Sequence, residues 1–285
     1  MNKWLKQDLW RHLVGIAICL FALFPLYLVI ISSFSSSGSL QLSSFLPREI
    51  SFANYDKLFN DPTIPYLTWV KNSLYIAGSV AVFSVMIGTA SAFAFSRLKF
   101  KGRKFGIQLL LLVQMFPAIL AISAVYVIME RVYKFAPEIG LGTQPGLLLV
   151  YLGGAMGVNI WLLKGFVDSI PAELDEAAKI DGANPFQMFF RVKLPQIYST
   201  VLVVWTTLVV LVLKVFDIPY ALSANDDDKL LLATMMENAR NNWSIGGDNV
   251  DNLYASIAVM LMLTVVPNMV FNGWRIRREQ KELGN

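Results

Sequence analysis

Six stretches of this chain run for 20 residues or more without Asp, Glu, Lys or Arg: 13–47, 72–96, 105–129, 139–163, 194–213 and 252–274. Nothing else in the sequence restricts the fold as strongly. A helix crosses the bilayer core with about 20 apolar residues. In lipid only helices and closed barrels satisfy their own backbone. The alternation of barrel strands is absent, so the windows read as six transmembrane helices in an all-α integral membrane protein. Within the first window the apolar part is Leu13 to Ile31, and after the fifth the apolar character resumes past Lys214 to Leu222.

Composition removes the competing classes. Hydrophobic residues make up 55% and charged residues 15%, against about 25% charged in soluble domains; mean hydropathy is +0.53. That is too few charges for a soluble surface and too much apolar content for disorder. A single cysteine, Cys19, excludes a disulfide framework and a multi-Cys metal site, and a single histidine, His12, excludes a His-rich one.

The connections set the orientation. With a cytoplasmic N-terminus, the inside segments 1–12, 97–104, 164–193 and 274–285 carry 16 Lys and Arg, and the outside segments 32–71, 130–138 and 223–251 carry 7. This positive-inside bias places both termini inside and accounts for the net charge of +4 and the pI near 9.1. Each basic block abuts a span, as in Arg97 to Lys104, which suits the membrane surface rather than nucleic acid. A cleaved signal peptide is the other reading of the first span, since Ser33 to Ser39 is rich in small residues. Its apolar run is longer than a usual signal core, and we read it as a span. The expected organisation is a cytoplasmic tail and first helix over 1–32, an extracytoplasmic loop over 33–71, a core transmembrane domain over 72–274, and a cytoplasmic tail over 275–285.

The first outside loop contains Ile50 to Phe59, expected as a short irregular or helical segment on the membrane face. The last, Ser223 to Asp251, is acidic. Its Asn225 to Asp228 run lacks the alternating ligands, central Gly and terminal Glu of a calcium loop, and reads as a solvated turn. Trp243 in this loop is either an interfacial anchor or a partner contact.

The inside segment Asp168 to Gln196 is the most informative. Pro171 suits a first helical turn, and Glu173, Asp175 and Glu176 complement the positive helix N-terminus. Ala177 and Ala178 make a small-residue face, and Gly182 is a natural stop. Asn184 then caps a second helix, with Pro185 at its first position and Gln187 three after the cap. Leu194-Pro195 is expected to end it before the fifth span. Phe186, Met188, Phe189 and Phe190 are too apolar for a free loop and need a partner, either in this chain or in another protein. On the residues alone, an ordinary amphipathic connector is the competing reading.

The run Glu176-Ala177-Ala178, three residues, Gly182, nine residues, Val192-x-Leu194-Pro195 resembles the EAA loop of permease subunits of bacterial ABC importers, with Val192 for the usual Ile. Asn72 to Ser79 is similar to the carbohydrate branch, and Gln114 to Ile128 and Gly146 to Phe166 are similar to the smaller permease of maltose and trehalose systems. The resemblance implies the type I importer permease fold, and a sugar or oligosaccharide carried through a heterodimeric pathway shared with a second permease subunit. It implies an extracytoplasmic sugar-binding protein and a dimeric cytoplasmic ATPase as partners, and no nucleic acid. The chain has no phosphate-binding G-x-x-x-x-G-K-[ST] motif, so no cofactor is expected in it; ATP and Mg belong to the ATPase. ATPase coupling is implied for Glu176, Ala177, Ala178, Asp181, Gly182, Leu194 and Pro195. Contact with the binding protein is implied for the last outside loop, at Asn238, Asn242, Trp243 and Gly246. The tail Arg275 to Leu283 is either a further ATPase contact or a positive-inside anchor.

Gln114 and Asn159, polar and inside spans, either line a hydrophilic path or bond helix to helix. Lys214 and Asp217, three apart on the fifth span, are either a self-neutralising pair or a substrate contact. Gly153, Gly154 and Gly157 fit close helix packing, and Met115, Met129, Met156, Met260 and Met262 fit lipid or core filling. An intramembrane enzyme is disfavoured, because no acid pair, HExxH or Ser dyad lies within a span. An ion-driven carrier acting alone is the alternative, but it calls for several embedded acids and an inverted repeat; only Asp217 is embedded.

Overall fold

The computed structural model describes residues 9–35, 50–62, 64–214, 217–223 and part of 255–278. They form two compact units, the first holding the described parts of Met1–Leu67 and Met235–Thr264, the second those of Thr68–Thr234 and Val265–Asn285. Helices and turns make up both, with no strand among the described residues.

In the first unit, α1 (Leu9–Ser33) is apolar on every side and none of its spanning window is buried. Such a surface is stable facing lipid and costly facing water. The outer segment folds as a helix, α2 (Ala53–Asn60). Side chains seat it on the end of α1. The buried Asn54 Nδ2 donates to Ser33 O at 3.1 Å and Ser35 O at 2.9 Å, and Tyr55 Oη to Ser33 Oγ at 2.7 Å. Phe34 packs edge-on to Phe52 at 5.4 Å.

The long helix α3 (Tyr66–Arg97) has 32 residues, about 48 Å at 1.5 Å per residue, which exceeds a hydrocarbon core of about 30 Å. There follow α4 (Arg103–Gln114), α5 (Ala118–Phe135), a 3₁₀ turn (Pro137–Ile139), α6 (Gln144–Ser169) and α7 (Glu173–Ile180). Next comes α8, built of an α-turn (Pro185–Gln187), a π turn (Met188–Lys193) and a long α segment (Leu194–Lys214). A short α9 (Asp217–Ser223) follows, and helical residues recur between 255 and 278. The core of the second unit is where α3, α6 and α8 meet. Ala81 and Ala92 let the helices approach, and Leu163, Val167, Ile197, Val201, Val204 and Leu208 fill the space between them.

Among the described residues three helices are long and apolar enough to cross a membrane: Trp10–Ser33, Tyr66–Arg97 and Pro185–Leu213. A fourth is α6, whose halves Gln144–Gly154 and Met156–Ser169 are bent by 49°, next to Gly153 and Gly154, residues at which helices commonly bend. The third charge-free window is not one helix. It breaks at Met115 to Pro117, where Met115 and Phe116 close tight i→i−3 bonds at 3.1 and 3.2 Å. Pro117 has no N–H to continue the ladder and pushes Phe116 out of the helical region.

Pro195 behaves oppositely. Instead of ending the second loop helix, Leu194-Pro195 lies inside a continuous helix of 29 residues, Pro185–Leu213. The π turn explains this. Leu194 N–H donates to Phe189 O, five residues back, and the wider turn relieves the clash that a proline ring makes with the carbonyl four residues before it. Pro171 also lies outside its expected turn, since α7 starts at Glu173 with Ala172 as cap.

Candidate functional site

The loop over 168–196 is built by three local devices. Glu173, Asp175 and Glu176 occupy the first turn of α7, where carboxylates meet the positive end of the helix dipole. At the other end Gly182, at φ +78°, takes the left-handed conformation. Its N–H donates to Lys179 O at 3.0 Å, and that of Ala183 to Ala178 O at 2.9 Å, the paired bonds of a Schellman stop. The chain then re-enters helix through a capping box. Asn184 Oδ1 accepts from Gln187 N at 2.8 Å, and Gln187 Oε1 from Asn184 N at 3.0 Å. Two helices therefore meet at a glycine, as the sequence predicts, and the second is continuous with the spanning part of α8.

The aromatic cluster is only half satisfied within the chain. Met188 is buried, and Phe189 packs on Phe93 of α3 at 5.5 Å. Phe186 is 70% exposed and stacks on the exposed Phe190 at 4.4 Å; Ile180 is 86% exposed. Glu176, Ala177, Asp181 and Pro195 are exposed, Ala178 is buried, and Leu194 packs against the core.

An ionic cluster that sequence reasoning missed lies beneath this surface. Asp175, 7% exposed, is 2.6 Å from Lys193 Nζ and 3.2 Å from Arg97 Nε. These are close ion pairs without aligned hydrogen bonds. Arg97 Nη2 donates to Val167 O at 2.8 Å and Ile170 O at 2.6 Å, at the end of α6. Nearby, Ser96 Oγ donates to Asp168, which Lys164 also pairs. One signal was available in the sequence: Lys193 stands between the apolar Val192 and Leu194, and a lysine flanked so must be paired or exposed.

The other candidates do not join this group. Gln114 ends α4 and its Nε2 donates to Gly154 O at 2.9 Å, at the bend of α6. Asn159 is half-buried on α6. Lys214 closes α8 and Asp217 opens α9; the pairing expected of their side chains lies outside the described residues, as do Asn238, Asn242, Trp243 and Gly246 and the rest of the acidic loop.

Apolar helices of spanning length, one of them continuous with a capped and partly unpartnered surface loop, define a polytopic helical membrane protein. The chain belongs to the family of binding-protein-dependent transport system inner membrane components, whose pattern matches residues 84–279. It is therefore a membrane permease working as a component of a transport system, which removes the carrier acting alone. It is 34% identical over 249 residues to the maltose/maltodextrin transport system permease protein MalG of Vibrio parahaemolyticus, covering 83% of each chain. It is 32% identical over 275 residues to that of Salmonella typhimurium, covering 91% of this chain and 92% of the relative. Against that of Escherichia coli K12 it is 32% identical over 267 residues, covering 89% and 87%. The fold matches a crystal structure of a bacterial ABC transporter involved in the import of the acidic polysaccharide alginate, with a TM-score of 0.77 at 19% identity over 96% of this chain and 97% of that one.

Proposed function

We propose that this chain is one of two permease subunits of an ATP-driven, binding-protein-dependent importer of a sugar or oligosaccharide of the maltose or trehalose class. Its relatives named for maltose and maltodextrin transport support the substrate class. In this reading the chain has six transmembrane helices in the type I arrangement. The third is broken at Met115 to Pro117, the sixth lies over 252–274, and both termini are cytoplasmic. The tail and first helix (1–32), outer loop (33–71), core (72–274) and final tail (275–285) keep the organisation expected from the sequence.

The loop over 168–196 docks in a cleft of a dimeric cytoplasmic ATPase, which holds the ATP and Mg. The single observation that carries this is the unpartnered apolar surface of Ile180, Phe186 and Phe190 beside the exposed Glu176 carboxylate, on a helix pair continuous with α8. Water is a poor partner for such a surface and a protein groove a good one. Glu176 offers its carboxylate to a basic residue, Ala177 allows close approach, and Asp181 and Gly182 form the bend. Leu194 and Pro195 carry the displacement into α8, where it opens and closes the path. Gln114, Asn159, Lys214 and Asp217 are pathway candidates. Asn238, Asn242, Trp243 and Gly246 form the contact with the binding protein.

Co-purification tests the assembly: the ATPase and a second permease accompany the chain. Reconstituted Gly182→Val places a branched residue at φ +78°, and Glu176→Lys reverses the docking charge. Both hydrolyse ATP without matching sugar uptake. Parent-level uptake in both variants would sink the coupling role.

A further inference from the structure

Glu176 and Asp175 are neighbours in the same acidic turn, yet their surroundings are opposite. Glu176 is exposed, whereas Asp175 is enclosed by one cation from α3 and one from α8. Lys193 has no exposed surface at all. Two cations against one carboxylate leave an excess positive charge, and the end of α6 absorbs it. The carbonyls of Val167 and Ile170 accept from Arg97 at the negative end of that helix dipole. One cluster therefore joins the surface helix α7 to the terminus of α3, the terminus of α6 and the π turn of α8.

Stability alone is a poor reason for such a cluster. A buried ion pair recovers little more than the cost of desolvating its charges, and apolar residues of the same volume serve as well or better. What charges provide and apolar contacts do not is a fixed relative position, because sliding α7 by one turn leaves a buried charge unpaired. The neighbouring contact between Phe93 and Phe189 supplies packing without that penalty for slipping.

We propose that Asp175, Arg97 and Lys193 are positioning residues that form an ionic clamp. The clamp makes α7 and the adjoining ends of α3, α6 and α8 move as one rigid body. This rests on the reading of α7 as the helix that receives the ATPase's motion. None of the three residues contacts sugar or nucleotide. Their role is to turn a displacement of α7 into an equal displacement of α8, where a loosened α7 would rock while α8 stayed behind.

Two readouts on the reconstituted complex, in a Cys19→Ser background, test it. The first is sugar transported per ATP hydrolysed. Asp175→Asn, isosteric and uncharged, and Lys193→Met, of similar length, keep the ATPase bound and hydrolysing. Transport per ATP falls about tenfold, within the usual range for coupling between two sites. The second is the distance between spin labels at Lys179→Cys on α7 and Gln196→Cys on α8, both exposed. With the clamp intact the distance is single and the same with and without ATP; in Lys193→Met it broadens. A distance that changes with ATP in the intact clamp overturns the proposal even if neither charge variant assembles. So does a parent ratio of transport to hydrolysis in both variants. If the ATPase fails to co-purify with the unmodified chain, the docking reading fails instead, and the label distance still decides whether α7 and α8 are locked.

Discussion

Gly157 on α6 is the position where one added methyl group has the most calculable effect. A Cβ there would sit 2.5 Å from Gln114 Cγ, 2.7 Å from its Nε2 and 3.0 Å from its Cδ. Cγ lies too near the root of the side chain to move aside alone, so Gln114 must swing away. Its bond to Gly154 O at 2.9 Å then breaks. Overpacking of this kind costs about 1–3 kcal/mol, and a hydrogen bond between membrane helices contributes about 0.6 kcal/mol. Alanine recovers about 1 kcal/mol of helix propensity relative to glycine. The balance for Gly157→Ala is a loss of about 0.6–2.6 kcal/mol, or roughly 1–5 °C in Tm at about 2 °C per kcal/mol for a chain of this size.

Two companion variants separate the causes. Gly165→Ala on the same helix meets nothing within 4 Å and should raise the midpoint through propensity alone. Gln114→Ala combined with Gly157→Ala removes the clash and should return to within about 1 kcal/mol of the parent, the signature of a directly interacting pair. Thermal unfolding of the purified protein in one detergent at a fixed scan rate, followed by tryptophan fluorescence, measures all of them. If Gly157→Ala is as stable as Gly165→Ala, or if the double variant is no better than Gly157→Ala, the close approach of α4 to α6 is wrong.

Asn184→Ala removes the side-chain acceptor of the Gln187 N–H, leaving only the backbone half of the capping box, and should destabilise the start of α8 by about 1 kcal/mol, seen as faster amide exchange over 185–190 with the exchange of α6 unchanged. Asn54→Ala leaves the carbonyls of Ser33 and Ser35 without their amide donor. A loss of about 1–3 kcal/mol follows, read as earlier proteolysis within 50–62; an unaltered cleavage rate would contradict the seating of α2 on α1.

The fold was legible where one physical rule dominated. Charge-free length marked α1, α3, α6 and α8, and the glycine stop at Gly182 and the cap at Asn184 were readable because each depends on neighbours within four residues. Proline showed the limit. Pro117 breaks its helix and Pro195 does not, although each directly follows a large apolar residue, Phe116 and Leu194. The difference is the π turn at Met188 to Lys193, which no spacing of the residues around Pro195 announces. The ionic cluster was illegible for a related reason. Arg97 and Lys193 carried an evident meaning as basic residues beside spans, and their common partner Asp175 belongs to another element. Only the fold brings the three together, so a count of charges per loop assigned them to the membrane surface when their heads point at one carboxylate.

The π turn at Met188 to Lys193 also bears on the nine residues that separate Gly182 from Val192. Relative to an α-helix, a π turn holds one residue more for the same advance, and each residue of an α-helix turns the chain by about 100°. Deleting one residue from this turn would restore ordinary helix and leave every side chain beyond Leu194 facing as it does now. Deleting one residue after Pro195 would rotate the whole apolar face of α8 away from α3 and α6. The spacing thus contains a place where the chain tolerates a change of length, directly beside one where it does not.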